Sequence, residues 1–231
     1  MKKMMKLKSS APKWALILLC CASLWTCRST APTTHHVGAL TGKEKVLVLP
    51  FQNMAWLHGS DVNVRNPLTG KVFMTGPVAE GVDRLFTDML VEALNEKTGF
   101  QTVPSKEAHA ILEALKASGT DARDEPLRIL SQTGRMLNAD LVIQGYVYRY
   151  KDRVGRNYSA ESAASVAFDV YFIDCADQEL AWSGYFDETQ QALTDDLRLI
   201  GTFFRRKARW ITAEEMAKDA MDAMFEEFEQ P

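Results

Sequence analysis

Few residues in this chain have the types and spacing that chemistry needs. Thr69-Gly70-Lys71-Val72 follows the order in which a phosphate-binding loop ends, where lysine and a hydroxyl hold phosphate and its metal. Arg65 stands where that loop requires its first glycine and Val72 where it requires Ser or Thr, so the loop is not built. The sequence contains no G-x-S-x-G elbow and no H-E-x-x-H pair. His58 and His109 have no sequence-local partner and read as surface residues. Asp140 falls at a helix-to-strand turn, where a carboxylate caps backbone N–H groups. Asp187-Glu188 and Asp195-Asp196 are adjacent acids on turns and read as solvated, since glycoside cleavage needs two carboxyls facing across a cleft. Cys175 ends an apolar run and reads as a small buried hydrophobe. These residues assign no catalytic group, metal site or cofactor, and the chain is expected not to be an enzyme.

Binding is better represented. Phe203-Phe204-Arg205-Arg206-Lys207-Ala208-Arg209-Trp210 gathers four cations and three aromatics. Cations near a helix C-terminus complement its dipole. The same set, Arg205, Arg206, Lys207, Arg209 and Trp210, would also suit anionic headgroups, lipopolysaccharide or an acidic partner. Trp56 and Phe73 are further contact candidates, in the long segment between Gln52 and Thr75. Structureless loops of more than ~15 residues are uncommon unless functional. This one suggests a hairpin, with Val62–Arg65 and Lys71–Met74 flanking an Asn66–Gly70 turn and Trp56, Val64 and Phe73 available at a surface or in a small satellite core.

The elements that would carry these residues alternate between α and β patterns. Lys45–Phe51 (KVLVLPF) is an apolar run suited to a buried central strand ending at Pro50. Pro77 suits a first helical position, and Val78, Val82, Leu85, Phe86, Met89, Leu90, Ala93 and Leu94 give one stripe through Glu96, closed by Gly99. A short strand at Phe100–Val103 precedes helices expected from Ser105 to Leu115 and from Pro126 to Leu137. Ala139–Arg149 and Val166–Ile173 read as strands flanking a polar loop at 151–162, and Leu180–Phe186 completes a meander. Two helices end the chain. One is expected from Thr194 to Ala208. The other follows the capping box Thr212-Ala213-Glu214-Glu215, with a Met216–Phe228 stripe read as core.

The chain has 231 residues and a net charge of −3, but residues 1–27 hold five lysines and no acid, leaving 22 basic against 30 acidic residues beyond them. That balance gives nucleic-acid binding no electrostatic support. Lys2, Lys3, Lys6, Lys8 and Lys13 precede a 12-residue apolar run, Trp14–Trp25. A membrane-spanning helix needs ~20 apolar residues, so the pattern is that of a secretory signal. Cys20 and Cys21 leave with it. Residues 28–43 are rich in Thr, Pro and Gly and read as a flexible tether, with His35-His36 a solvated pair.

The end of this signal, Leu24-Trp25-Thr26-Cys27, resembles a bacterial lipoprotein signal, with Trp25 and Thr26 bulkier than that family's usual small residues. The resemblance implies a covalent diacylglycerol and acyl anchor (palmitate among its acyl chains) on Cys27. Arg28 follows instead of the aspartate of inner-membrane retention, which implies the periplasmic face of the outer membrane. Val46–Phe51 (VLVLPF) and Leu137–Val147 (LNADLVIQGYV) resemble the envelope lipoprotein family that includes the penicillin-binding-protein activator LpoB, the curli secretion subunit CsgG and the N-terminal domain of TolB. The resemblance spans roughly residues 44–188. It implies one α/β domain over 44–231, a mixed sheet flanked by helices with 52–75 as an insertion. It also implies a periplasmic protein partner, such as a peptidoglycan synthase, and leaves oligomerisation open. The alternative is a subunit of a secretion assembly, but Lys151–Ser165 lacks the alternating pattern of a lipid-facing hairpin.

Overall fold

The computed structural model describes residues 31–37, 40–103, 106, 108–117, 125–156, 159–190 and 211–228. The signal, Cys27 and the helix expected from Thr194 to Ala208 lie outside these residues.

The chain is α/β, with a mixed sheet flanked by helices. In chain order its strands are β1 (Thr33–His36), β2 (Lys45–Val48), β3 (Gln52–Asn53), β6 (Gln101–Val103), β7 (Leu141–Lys151), β10 (Ser165–Asp174) and β11 (Leu180–Thr189). They are ordered β1-β11-β10-β7-β2-β6, with β3 also pairing β7. β2 runs parallel to β6 and β7, whereas β7, β10 and β11 form an antiparallel meander. A short helix, α1 (Met54–His58), follows β3 directly. A small hairpin, β4 (Asn63–Arg65) with β5 (Val72–Met74), and a ribbon, β8 (Val154–Arg156) with β9 (Ser159–Ser162), are separate two-stranded units. The expected polar loop at 151–162 therefore contains a ribbon.

Alternation of side chains divides the core between the two sheet faces. Val166, Phe168, Val170 and Phe172 join Val46, Phe51, Ile143 and Val147 on one face, beneath α2 (Val82–Lys97) and α5 (Ala213–Phe225). Thr212 and Glu215 cap α5 reciprocally as expected, and its Met216, Met221, Met224 and Phe225 are buried. That burial stabilises by about 1.5–3 kcal/mol per side chain, so the stripe is core and not a partner groove. Phe172, Trp182, Phe225 and Phe228 form the aromatic centre of this layer, with centroids 4.8–6.0 Å apart. Gly145 admits the Phe51 ring against the sheet, where any Cβ would collide with it.

Ala167, Tyr171, Ile173, Val142, Tyr146 and Tyr148 face the other side, beneath α3 (Ala108–Ala117), α4 (Glu125–Met136) and the hairpin. Asp140 clamps the two parallel strands at their start. Its Oδ2 accepts the Lys45 N–H at 2.8 Å, and its own N–H donates to the Lys45 carbonyl.

Two boundaries differ from the sequence reading for one physical reason: backbone pairing takes up residues that the pattern left to other elements. Gly76 N–H donates to the Tyr148 carbonyl and Tyr150 N–H to that of Pro77, so 76–77 extend the sheet beside β7. The helix starts only at Val82, after left-handed Gly81 (φ 83°). Likewise Thr33–His36, expected within a tether, pairs antiparallel with β11 at the sheet edge. His35 stacks on Tyr185, and His36 lies against Trp182 and Phe228, so neither is merely solvated.

Candidate functional site

The segment 52–75 is the most unusual part of the structure. Asn53 starts the five-residue helix α1 by accepting the Trp56 N–H on its side chain at 3.1 Å. Met54 and Ala55 face inward, which leaves Trp56 60% exposed. The Thr75 hydroxyl then ties α1 to the hairpin. It donates to the Gly59 carbonyl at 2.8 Å and accepts the Val62 N–H at 3.0 Å.

The hairpin forms over residues 63–74 as expected, with Asn66 organising its turn. Asn66 Oδ1 accepts the N–H groups of Leu68 (2.7 Å) and Thr69 (3.1 Å). Phe73, however, is not a contact residue. It is 1% exposed, and its ring stacks on Tyr148 with centroids 4.1 Å apart. Three-residue strands have one inward position, and the pairing Val64↔Phe73 occupies it, so Val64 is buried too.

Beneath the turn lies a buried polar cluster that the sequence reading missed. Asp169 is fully buried on β10. Its Oδ2 accepts Tyr171 OH at 2.8 Å, Tyr148 OH at 3.0 Å and Asn66 Nδ2 at 3.1 Å. Asn66 Nδ2 also donates to Tyr148 OH at 2.8 Å, and Thr69 Oγ1 lies 3.1 Å from Tyr171 OH. Lys71 lies over the Tyr185 ring, a cation–π contact at the rim of the cluster. The hairpin is thus latched to two strands of the sheet, β7 and β10, through one carboxyl group.

Burial pushes that carboxyl up to about 8, against hydrogen bonds from Tyr171 and Tyr148, the charge of Lys71 and the bond from Asn66. Burial likewise raises the Tyr148 and Tyr171 phenols, with the Asp169 charge adding to it. Burial therefore favours the protonated form of Asp169. Three donors occupy Oδ2, so its proton belongs on Oδ1, which has no hydrogen-bond partner among the described residues. A neutral orphan oxygen costs far less than a buried carboxylate with one oxygen left unpartnered. The signal for this group was an acid in the middle of the apolar run Val166–Ile173, since aspartate is almost never fully buried without partners.

Trp56 instead walls an open groove of about 430 Å³ with Ser60, Pro77, Val78, Tyr150 and Asp152. Tyr150 is pushed up to about 12 by burial and by Glu214 and Asp152. Asp152 does not reach freely into the groove, because its Oδ1 accepts the Ala213 N–H at the start of α5 and that of Arg153. The groove thus offers an indole, a phenol and a proline ring on a fixed frame, a surface suited to binding.

The remaining candidates are dispersed. His58 is exposed at the end of α1, and His109 is exposed on α3. Cys175 is buried, and burial together with Asp174 pushes its thiol up to about 11, which leaves little reactive thiolate. Asp187 pairs with Arg149 at 2.5 Å and is not simply solvated. No group of three His, Cys, Asp or Glu among the described residues could hold a metal. None of the described helices is long and apolar enough to cross a membrane. Arg205, Arg206, Lys207, Arg209 and Trp210 lie outside the described residues.

No family model and no curated protein matches the sequence. Several solved structures are similar at low identity. A PelC dodecamer from Paraburkholderia phytofirmans shares 12% identity at a TM-score of 0.47, covering 87% of this chain and 99% of that one. The LpoB C-terminal domain from Escherichia coli shares 15% at 0.37, covering 67% and 88%. Lipoprotein GNA1162 from Neisseria meningitidis shares 18% at 0.34, covering 71% and 94%.

Proposed function

We propose that this chain is a non-enzymatic lipoprotein of the bacterial outer envelope. Cys27 carries the lipid anchor on the periplasmic face, and the α/β domain binds a protein partner in envelope biogenesis. The anchor reading rests on the lysine-rich start, the Trp14–Trp25 run and Leu24-Trp25-Thr26-Cys27. The partner class is a peptidoglycan synthase, on the resemblance carried by VLVLPF and LNADLVIQGYV.

The observation that carries the binding reading is Trp56, 60% exposed on a helix that Asn53 and Thr75 hold in place. Tryptophan and tyrosine dominate binding hot spots, and a rigid anchor loses little entropy on association. Trp56→Ala is expected to weaken partner binding by ~30-fold or more, the effect of a ~2 kcal/mol hot spot. Its folding stability should change by less than about 0.5 kcal/mol, because the indole supports no core. A photo-crosslinking residue placed at Trp56 in living cells tests this directly, with the exposed Glu96 on α2 as control. A discrete protein adduct from position 56 alone is expected. Equal or absent adducts at both positions would remove the binding reading.

A further inference from the structure

The edge strand β1 shortens the tether. The sequence suggested 16 residues of flexible chain between Cys27 and the domain, enough to carry it well away from a membrane. In the structure Thr33 is already paired with Tyr185. Six residue steps separate Cys27 from Thr33, and fully extended they span about 20 Å. A domain of this length has a radius of gyration of about 16 Å, so the tether is shorter than the domain is wide. A chain anchored at Cys27 therefore holds Thr33 within about 20 Å of the bilayer, close enough for one face of the domain to rest on it.

The position of Thr33 shows which face. Its register partner Tyr185 lies under Lys71, at the end of the hairpin turn. The hairpin is thus the apolar-bearing unit beside the point where the tether joins the domain. Its inner pair, Val64↔Phe73, is core, so the flanking pairs Asn63↔Met74 and Arg65↔Val72 point outward. Met74 is 54% exposed, Val72 47% and the adjoining Val62 40%. Arg65 is exposed beside them, and Lys71 is half-buried at the rim. Asp61 is the acid beside this face, while Asp187 is already paired to Arg149, which also donates to the Met74 carbonyl at 3.0 Å. Exposed apolar side chains among cations form the pattern of a surface that lies in a headgroup layer. The latch to Asp169 fixes that surface as a rigid plate.

We infer that the outer face of the β4–β5 hairpin docks on the phospholipid bilayer that holds the anchor, with Val62, Val72 and Met74 at the acyl boundary and Arg65 among anionic headgroups. This rests on the anchor at Cys27. It gives the hairpin to the membrane and leaves the Trp56 groove to the partner.

The test uses the lipid-bearing full chain reconstituted into vesicles of phosphatidylethanolamine and phosphatidylglycerol with brominated acyl chains. A fluorescent label is placed on Met74→Cys, or on Glu96→Cys as a control on α2 across the sheet. Buried Cys175 supplies little background. Lipid quenching at 74 is expected to exceed that at 96 several-fold, and adding Val72→Asp should reduce it several-fold. Equal quenching at both positions on floating vesicles would overturn the docking while leaving the anchor intact. A label at 74 shielded from aqueous quencher yet untouched by lipid would also overturn it, in favour of a protein cover. A chain that does not float with vesicles would overturn the anchor and the docking together.

Discussion

Replacing Asp169 by asparagine is expected to remove much of the pH dependence of folding between about pH 4 and about pH 8. Burial raises the carboxyl in the folded state from an ordinary value of 3.8 to about 8. Across that window the folded chain keeps a proton that the unfolded chain has released. Its contribution is therefore fully present below about pH 4 and is lost as pH rises to about 8, with a slope of at most ~1.4 kcal/mol per pH unit. Above that the folded carboxyl ionises as well and the loss stops. The substituted amide would not titrate, and its oxygen can still accept from Tyr148, Tyr171 and Asn66. Urea unfolding at several pH values should show wild type and Asp169→Asn converging in acid and diverging toward alkaline pH, with the wild type less stable there. Parallel curves would mean that the carboxyl is ionised under the hairpin after all.

Phe73→Ala is expected to cost about 3–5 kcal/mol, the range for removing a fully buried phenylalanine. The ring is 1% exposed and stacked on Tyr148, so its loss opens a cavity between hairpin and sheet. The apolar plug would go while the polar latch stayed, so the hairpin should open locally before the sheet does. Hydrogen exchange at the Val64 and Asn66 amides should therefore accelerate far more than at Val170 in the central strand. Unchanged stability would return Phe73 to the surface role that the sequence suggested. Set beside Trp56→Ala, this variant separates the residue that builds the hairpin from the one proposed to meet a partner.

Long patterned elements were legible in the sequence. Val166–Ile173 alternates over eight residues and Met216–Phe225 repeats at helical spacing, so each has one burial solution. The Asn66–Gly70 turn was legible because Asn and Gly are turn residues. The direction of Phe73 was not, since Val72, Phe73 and Met74 are all apolar and a three-residue strand carries no alternation to read. β1 was hidden because an edge strand of two threonines and two histidines is recruited by backbone pairing, to which side-chain pattern is blind. The start of α2 was misplaced for the same reason, with Gly76 and Pro77 spent on β7. Asp169 was visible as a polar interruption, yet its meaning depends on Asn66, 103 residues away, and no local pattern links the two.

The most direct test of the anchored-domain account is the intact mass of the mature chain recovered from envelope fractions, for wild type and Cys27→Ala. The account predicts a wild-type chain that starts at Cys27, carries a diacylglycerol and an acyl chain and sediments with the outer membrane, while Cys27→Ala loses both the lipid mass and that fractionation. An unmodified wild-type chain free in the periplasm would contradict it, and with it the short tether and the membrane-facing hairpin.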